Sequence, residues 1–220
     1  MSLVKKILNR FHPVLKPLSK WYLSKTRNYS YNGIKVKVLP GVFHPGFFFS
    51  TKILLGYLEK KDLAKKAVLE LGAGTGLISI YCHRRSAFVC ASDISKTALR
   101  CIQGNARIND ASINIVESDL FDNVNPNDFD IIIINPPYYP EAINSENDMP
   151  WFCGEHFEYF EKLFYQLKGV TASREVLMIL SEDCALHQIQ SIAKKNSLQL
   201  AEIYSSQKWG ERNFIYKISE

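Results

Sequence analysis

The chain has 220 residues, of which 46% are hydrophobic and 22% are charged, and its formal net charge is +5. This length accommodates one α/β domain and a short extension, with enough apolar content for a packed core. No apolar run approaches the roughly 20 residues that span a bilayer, and no early segment ends in the small-residue site of a secretory leader. Five scattered cysteines without a Cys-x-x-Cys pair are typical of reduced thiols. We therefore expect a cytoplasmic protein without stable membrane insertion.

The positive charge is concentrated at the N-terminus. Residues 1–40 carry nine basic groups and no acidic one, whereas the remaining residues carry 18 basic and 22 acidic groups. Apolar side chains recur at helical spacing in the first 22 residues, with interruptions at Pro13 and Pro17. The pattern predicts a basic amphipathic N-terminal helical arm. Its apolar stripe could pack on the body of the protein or lie on a membrane surface, and its basic groups could hold RNA or a ribosomal complex.

The segment after the arm leads into the main domain. Loose alternation of apolar residues from position 29 to position 42 predicts an edge hairpin, so we assign the arm and hairpin to 1–40 and the main domain to 41–220. A helix is predicted from Thr51 to Lys60, with Ser50 or Thr51 as its N-cap. The three phenylalanines at 47–49 indicate either core packing or the wall of a substrate cavity.

A glycine-rich turn follows the first buried strand pattern, Ala67–Leu71. Glycines at alternate positions 72, 74 and 76 allow the backbone to approach a ligand closely before the helix Leu77–Arg84 begins. Leu77 stands where a dinucleotide-binding fingerprint has its third glycine, so the turn does not match a pyrophosphate site. The carboxylate of Glu70 instead suits a ligand with a cationic amino group.

Acidic residues follow the next two predicted strands. The strand Phe88–Ser92 ends at Asp93, where a carboxylate can accept hydrogen bonds from two ribose hydroxyls. The strand Ile113–Glu117 precedes Asp119, at a position suited to an adenine amine. Each acid by itself could be a helix cap or a turn residue. Their placement at successive strand ends favours one ligand site.

The run Ile131–Ile134 is typical of a central parallel strand that is covered on both faces. Asn135-Pro136-Pro137-Tyr138 follows it, and the two prolines stiffen the backbone and supply no N–H donors. The Asn135 amide, flanked by carbonyls without neighbouring donors, can therefore accept hydrogen bonds from a planar NH2 group while Tyr138 packs against its plane. The alternative interpretation is an ordinary proline-rich turn.

The remaining pattern completes an α/β architecture. It predicts a lid-like polar loop at Asn144–Pro150, a helix at Phe157–Leu167, a fifth strand at Val176–Leu180 and a helix at Ala185–Lys195. Two closing antiparallel strands are predicted at 198–204 and 213–218. The expected fold is a seven-stranded mixed sheet with helices on both faces.

The glycine-rich turn, the two acids and the Asn-Pro-Pro-Tyr tetrapeptide together resemble the successive motifs of class I S-adenosylmethionine-dependent methyltransferases. The resemblance covers roughly residues 40–180. It implies a Rossmann-like fold, S-adenosyl-L-methionine as cofactor, and cofactor contacts at Glu70, Gly72, Ala73, Gly74, Gly76, Asp93, Ile94, Asp119, Leu120 and Asn135. A dehydrogenase and a non-catalytic binding module are the competing classes, and the intact tetrapeptide argues against the latter.

The tetrapeptide is similar to that of the amino-methylating branch, which includes release-factor glutamine methyltransferases and nucleic-acid base methyltransferases. Val42–Pro45 and Trp151–Glu155 resemble segments of the release-factor enzymes, although Gly46–Phe49 replaces an acid that those enzymes usually carry. The resemblance implies direct methyl transfer without a metal, with Asn135, Pro136 and Tyr138 as catalytic residues. Candidate substrate contacts are Pro137, Tyr139, Phe48 and Trp151. We favour a protein glutamine as target, with an RNA or DNA base as the alternative.

Overall fold

The computed structural model describes residues 24–46, 49–146, 148–208 and 211–220, so the predicted helical arm lies outside the described residues. The strands are β1 (Arg27–Tyr31), β2 (Ile34–Val38), β3 (Ala67–Leu71), β4 (Phe88–Asp93), β5 (Asn114–Glu117), β6 (Ile131–Ile134), β7 (Glu175–Ser181), β8 (Gln199–Lys208) and β9 (Glu211–Ser219). The helices are α1 (Phe49–Leu58), α2 (Leu77–Arg84), α3 (Lys96–Ile108), α4 (Glu158–Gln166) and α5 (Leu186–Lys195). None of the described helices combines the length and apolarity needed to cross a bilayer.

Seven strands form one mixed sheet in the order β5-β4-β3-β6-β7-β9-β8. The pairs from β5 to β7 are parallel, whereas β9 runs antiparallel to both β7 and β8. The chain begins this sheet at β3, extends it through β4 and β5, and returns to place β6 on the other side of β3. The predicted seven-stranded mixed sheet is confirmed.

Two apolar layers cover the two faces of the sheet, because successive strand side chains point in opposite directions. In β6, Ile131 and Ile133 pack with residues of α1, α2 and α3. Ile132 and Ile134 pack on the opposite face with α4 and α5. All four isoleucines are buried, which explains why this strand is an uninterrupted apolar run.

The hairpin of β1 and β2 forms its own two-stranded sheet and is not an edge of the large sheet, which corrects the predicted edge position. Asn32 and Gly33, with φ of 45° and 76°, form the turn between its strands. This dipeptide readily adopts the positive φ angles that a tight hairpin turn requires. The buried face of β2 (Ile34, Val36 and Val38) joins the same apolar layer as α2 and α3.

Helix α1 begins at Phe49, so the prediction that Ser50 or Thr51 caps its N-terminus was wrong. Both residues lie inside the first turn and are buried. Phe49 precedes them in the first turn, and the buried Ser50 and Thr51 occupy packed positions and not the boundary with solvent. The predicted end at Lys60 also lies two residues beyond the observed last residue, Leu58.

Replacement of Phe164 by alanine should lower the free energy of unfolding by about 3–5 kcal/mol, because its ring is fully buried between α4 and the sheet. Tyr165→Ala is the matched control, since the neighbouring ring is 68% exposed. That substitution should change the stability by at most about 0.5 kcal/mol. Urea denaturation measures both values, and similar losses in the two variants would contradict the assigned packing.

Candidate active site

A cavity of about 340 Å³ opens at the carboxyl edge of the large sheet. The chain leaves β3 toward β4 and leaves β6 toward β7, so the connecting segments diverge and leave a crevice between them. Leu71 pairs with Ile134, and the residues that follow them, Gly72 and Asn135, therefore leave the sheet side by side. The volume falls within the range of small-molecule sites, roughly 300–1,000 Å³.

The glycine-rich turn forms one wall of this cavity. Gly72, Gly74 and Gly76 all adopt left-handed backbone conformations, with φ of 70°, 54° and 72°. A Cβ atom added to Gly72 would meet no atom within 4 Å, whereas one added to Gly76 would lie 3.0 Å from Ile102 Cγ2. The buried Ala73 between them donates its N–H to the Ser92 carbonyl at 2.9 Å. Gly72 thus leaves room for a ligand, and Gly76 allows α3 to pack closely.

Glu70 lines the cavity, but its carboxylate also points toward the first turn of α2. Glu70 Oε2 accepts hydrogen bonds from the backbone N–H of Ser79 at 2.7 Å and from the Ser79 hydroxyl. Burial raises the pKa of Glu70 to about 8, an effect that the Ser79 hydrogen bonds only partly oppose. A cationic group of a ligand would stabilise the ionised form, because none of the described residues supplies a counter-ion for this buried charge.

Asp93 fixes the glycine-rich turn from the adjacent strand end. Its Oδ2 accepts from the Gly74 N–H and its Oδ1 from the Ser95 N–H, both at 2.9 Å. Burial raises the pKa of Asp93, and the backbone hydrogen bonds from Ser95, Gly74 and Ile94 oppose that shift. Ile94 lines the cavity and is 44% exposed. Asp93 therefore orders the turn whether or not it also contacts a ligand.

Asp119 and Leu120 lie at the end of β5, at the far side of the cavity. The Asp119 carboxylate forms an ion pair with Lys162 Nζ at 2.6 Å, and the same ammonium contacts Asp122 at 2.6 Å. Leu120 adopts a φ of 53°, a left-handed conformation that is unfavourable for a branched residue. The Ser118 hydroxyl stabilises this turn by donating to the Leu120 carbonyl at 2.7 Å.

One end of the cavity contains the Asn-Pro-Pro-Tyr segment. Asn135 is half-buried and Pro136 is buried, and both line the cavity together with Pro137, Tyr138 and Tyr139. Within the described part of the chain, no side chain or backbone group forms a hydrogen bond with the Asn135 amide. The rings of Tyr138 and Tyr139 lie 4.8 Å apart at a 55° angle, and burial raises the pKa of both hydroxyls.

The segment after this tetrapeptide folds back over the cavity. Tyr139 donates its N–H to the Trp151 carbonyl at 3.0 Å, and its own carbonyl accepts from the Cys153 N–H at 2.9 Å. Trp151 packs on Phe43 with ring centroids 5.3 Å apart. Two sequence-distant aromatic residues thus line one side of the cavity together. The other aromatic candidate, Phe48, lies outside the described residues.

Tyr159 and Lys162, which we had not predicted as site residues, extend the cavity wall from α4. They are three positions apart, so they share one face of the helix. Tyr159 is near Asp93 and Asp119, and the pKa of its hydroxyl is raised by burial and by these carboxylates. The sequence pattern predicts this helix, but only its orientation in the structure reveals which ring reaches the cavity.

The cysteines are unpaired, and the potential metal ligands among the described residues do not cluster. All five cysteines are buried and free, as the sequence predicted. Across residues 24–46, 49–146, 148–208 and 211–220, no group of three histidine, cysteine or acidic side chains is arranged to hold a metal ion.

The family model described as the methyltransferase small domain matches residues 33–149, which include β2, the glycine-rich turn and the tetrapeptide. The chain belongs to this family. The methyltransferase is 33% identical over 187 residues to a Methanocaldococcus jannaschii protein named as a candidate protein N5-glutamine methyltransferase. The alignment covers 84% of this chain and 83% of that relative. Our protein is thus an enzyme, an S-adenosylmethionine-dependent methyltransferase.

Solved structures share the fold of this methyltransferase at lower identity. The Mtq2–Trm112 complex of E. cuniculi, which methylates the translation termination factor eRF1, aligns with a TM-score of 0.61 at 22% identity, over 82% of this chain and 99% of that one. A T. thermophilus 16S rRNA methyltransferase in complex with AdoMet and guanosine aligns with a TM-score of 0.58 at 16% identity, over 87% and 50% of the two chains. These likenesses establish the Rossmann-like fold.

The contribution of Glu70 to the stability of the wild-type enzyme should fall as the pH rises from about 5 to 9. Below the unfolded pKa of 4.5 Glu70 is protonated in both states, but between 4.5 and about 8 only the folded protein retains the proton. The stabilising contribution is therefore complete at low pH and is lost as the pH rises through about 8.

Glu70→Gln carries no titrating proton but can still accept hydrogen bonds from Ser79, so its stability should depend less on pH across this window. Urea denaturation at a series of pH values measures the difference. Glu117→Gln, at an exposed position, is the matched control and should retain the wild-type slope. Parallel curves for wild type and Glu70→Gln would contradict the assigned titration.

Proposed function

We propose that this methyltransferase methylates the side-chain amide of a glutamine in a protein substrate, as the release-factor enzymes do. The cofactor would occupy the crevice between β3 and β6. Its contacts would be Glu70, Gly72, Ala73, Gly74, Gly76, Asp93, Ile94, Asp119, Leu120 and Asn135. The acceptor amide would enter beside Asn135, Pro136 and Tyr138.

The residues of the crevice fit S-adenosyl-L-methionine. The open space at Gly72 admits a ligand against the backbone, and Glu70 at the base of the turn would be ionised by a nearby ammonium. Asp93 offers a carboxylate at a strand end, where ribose hydroxyls commonly bind. Lys162 would hold Asp119 at the adenine end through their 2.6 Å ion pair. The bound cofactor supplies an electrophilic methyl group on a sulfonium centre.

The acceptor end fits a planar NH2 group because its polar atoms near the tetrapeptide are hydrogen-bond acceptors. Pro136 and Pro137 have no N–H, so the Asn135 side-chain oxygen and the Pro136 carbonyl can take both amide protons. An amide nitrogen is a weak nucleophile. Hydrogen bonds from its protons increase its electron density, and the Tyr138 ring restricts its plane, so the nitrogen can be oriented for in-line attack.

The apolar character of the opening at the acceptor end is the observation that carries the choice of a protein target. The pKa of the Tyr139 hydroxyl is raised first by burial and then by Asp183, Cys184 and Glu211. Two of these neighbours, Asp183 and Glu211, are acidic residues and offer no cationic partner to a phosphate. The rest of the opening is apolar, with Ile143, Met149, Pro150 and Trp151. A neutral or basic peptide segment suits this surface better than a phosphate backbone.

The relatives support the same choice. The M. jannaschii protein, which is named for glutamine methylation, aligns along most of both chains. The eRF1-methylating complex shares the fold and acts on a translation factor. We therefore infer that the substrate is a protein of the translation apparatus that exposes a glutamine on a loop.

Methylation of a guanine or adenine amine in RNA is the second candidate. It rests on the nine unopposed basic groups of residues 1–40 and on the rRNA methyltransferase that shares the fold. In this case binding would weaken steeply with salt, because each neutralised phosphate releases counter-ions.

Asn135→Ala should reduce turnover by at least about 10²-fold, because the acceptor nitrogen loses one of its two orienting contacts. The affinity for S-adenosylhomocysteine should change by less than about threefold, since most of the proposed cofactor contacts lie elsewhere. Single-turnover kinetics and calorimetry measure the two quantities. Asn127→Ala, at an exposed residue in a separate turn, is the control and should match wild type. Full activity in Asn135→Ala would remove this residue from the catalytic site.

The substrate class can be tested with methyl-labelled S-adenosylmethionine in a cell extract that lacks the enzyme. We expect label in a protease-sensitive, ribonuclease-resistant product when wild type is added, and little when Asn135→Ala is added. Acid hydrolysis of that product should release labelled methylamine, because an N-methylated glutamine amide is cleaved to glutamate. Label that disappears with ribonuclease and survives protease would instead establish the RNA target.

A further inference from the structure

Asn105 and Asn109, on one face of α3, bind the backbone of β2 as a neighbouring strand would. Asn105 Oδ1 accepts from the Lys37 N–H at 2.7 Å, and its Nδ2 donates to the Lys37 carbonyl at 2.9 Å. Asn109 repeats the pattern with the N–H and carbonyl of Lys35, at 3.1 and 2.7 Å. Both side-chain amides thus bond to the backbone N–H and carbonyl groups of β2 that could otherwise pair with another strand.

The spacing of residues along a helix and along a strand explains this match. Residues four apart in a helix are separated by about 6 Å along its axis. Alternate residues of a strand are separated by about 6.6 Å. The pair of asparagines on α3 therefore follows the pair Lys35 and Lys37 along β2, and each amide finds one residue.

Asn105 differs from Asn109 in a third contact. Its Nδ2 also donates to the Thr75 carbonyl at 2.9 Å, within the glycine-rich turn. Thr75 and Asn105 are both buried, so the side-chain amide replaces water as the partner of that carbonyl. Asn109 is half-buried, and its remaining contacts go to Arg84 and to the Asn105 carbonyl.

The same amide thus connects two walls of the cavity. The turn at 72–76 forms one wall, and the chain that follows β2 forms another through Gly41, Val42 and Phe43. Val42 lies close to the turn, since a Cβ atom on Gly74 would be 3.7 Å from Val42 Cγ1. Asp93 holds Gly74 from the sheet side, and Asn105 holds the next residue, Thr75, from the opposite side.

We propose that Asn105 is a positioning residue for cofactor binding, which fixes the glycine-rich turn to the hairpin and so sets the shape of the cofactor crevice. This inference rests on the cofactor location in the proposed function. A residue of this kind does not touch the ligand. Its loss lowers affinity because the turn must then be ordered during binding, and the cost of ordering reduces the net binding free energy.

The test compares Asn105→Asp with Asn109→Asp by calorimetric titration with S-adenosylhomocysteine at a temperature where both variants are folded. A carboxylate still accepts from the β2 N–H in each variant, but it cannot donate to a carbonyl. Both variants should melt at lower temperature than wild type. Asn105→Asp should also bind at least about tenfold more weakly, as expected when a buried carbonyl loses its donor. Asn109→Asp should bind within about twofold of wild type.

If Asn105→Asp fails to fold, Asn105→Ala and Asn109→Ala provide the same comparison without a buried charge. Asp93→Ala tests the location of the cofactor separately and should weaken binding. Weak binding by Asp93→Ala with wild-type binding by the Asn105 variant would overturn the positioning role alone. Unchanged binding by Asp93→Ala as well would show that the cofactor site is misplaced. Equal losses of affinity in the Asn105 and Asn109 variants would also overturn the positioning role, because they would show that Asn105 acts only through the stability of the fold.

Discussion

The conformation of the turn between β3 and α2 is the constraint on which the rest of the site depends. Three alternate residues must adopt left-handed backbone angles so that the chain can leave the sheet and enter a helix without filling the crevice. Glycine tolerates these angles but does not select them, because it loses more conformational freedom on folding than any other residue. The selection comes from outside the turn. Hydrogen bonds from Gly74 to Asp93 and from Asn105 to Thr75 fix neighbouring peptide groups.

The three acids at the strand ends lie in different environments, although they are similar in sequence context. Glu70 is buried beneath α2, and its raised pKa reflects desolvation. Asp93 is half-buried and satisfies backbone N–H groups. Asp119 is exposed and paired with Lys162. These three environments respond differently to a cationic or polar ligand. One crevice can therefore hold a molecule with chemically distinct ends.

The end of the cavity that contains the tetrapeptide depends on contacts between residues that are distant in sequence. Trp151 reaches Phe43 across the opening, and the Tyr139 backbone pairs with Trp151 and Cys153. The tetrapeptide is therefore supported on the side that faces away from the sheet. Rigid support of this kind is required if two hydrogen-bond acceptors and a ring are to orient a weak amide nucleophile.

The sequence by itself determined the order of the strands after position 66, the helices α2, α4 and α5, the sheet composition and the loops that line the cavity, but it did not predict α3. These features depend on local patterns: apolar runs of strand length, glycines at alternate positions and prolines after a strand. The start of α1 was misplaced because burial of Ser50 and Thr51 outweighed their preference for a helix cap. The sequence predicted the hairpin but not its position outside the large sheet. The partners of an exposed strand edge depend on how the whole fold packs.

Only the tertiary structure decided which side chains complete the site. Tyr159 and Lys162 become cavity residues through the direction in which α4 crosses the sheet. Asn105 is an ordinary helix residue in sequence, and its contacts with Lys37 and Thr75 span 68 and 30 positions. Periodicity predicts which face of an element is apolar, since that depends on neighbours within a few residues. It does not predict which distant backbone group a buried amide will meet, because that depends on how separate elements pack.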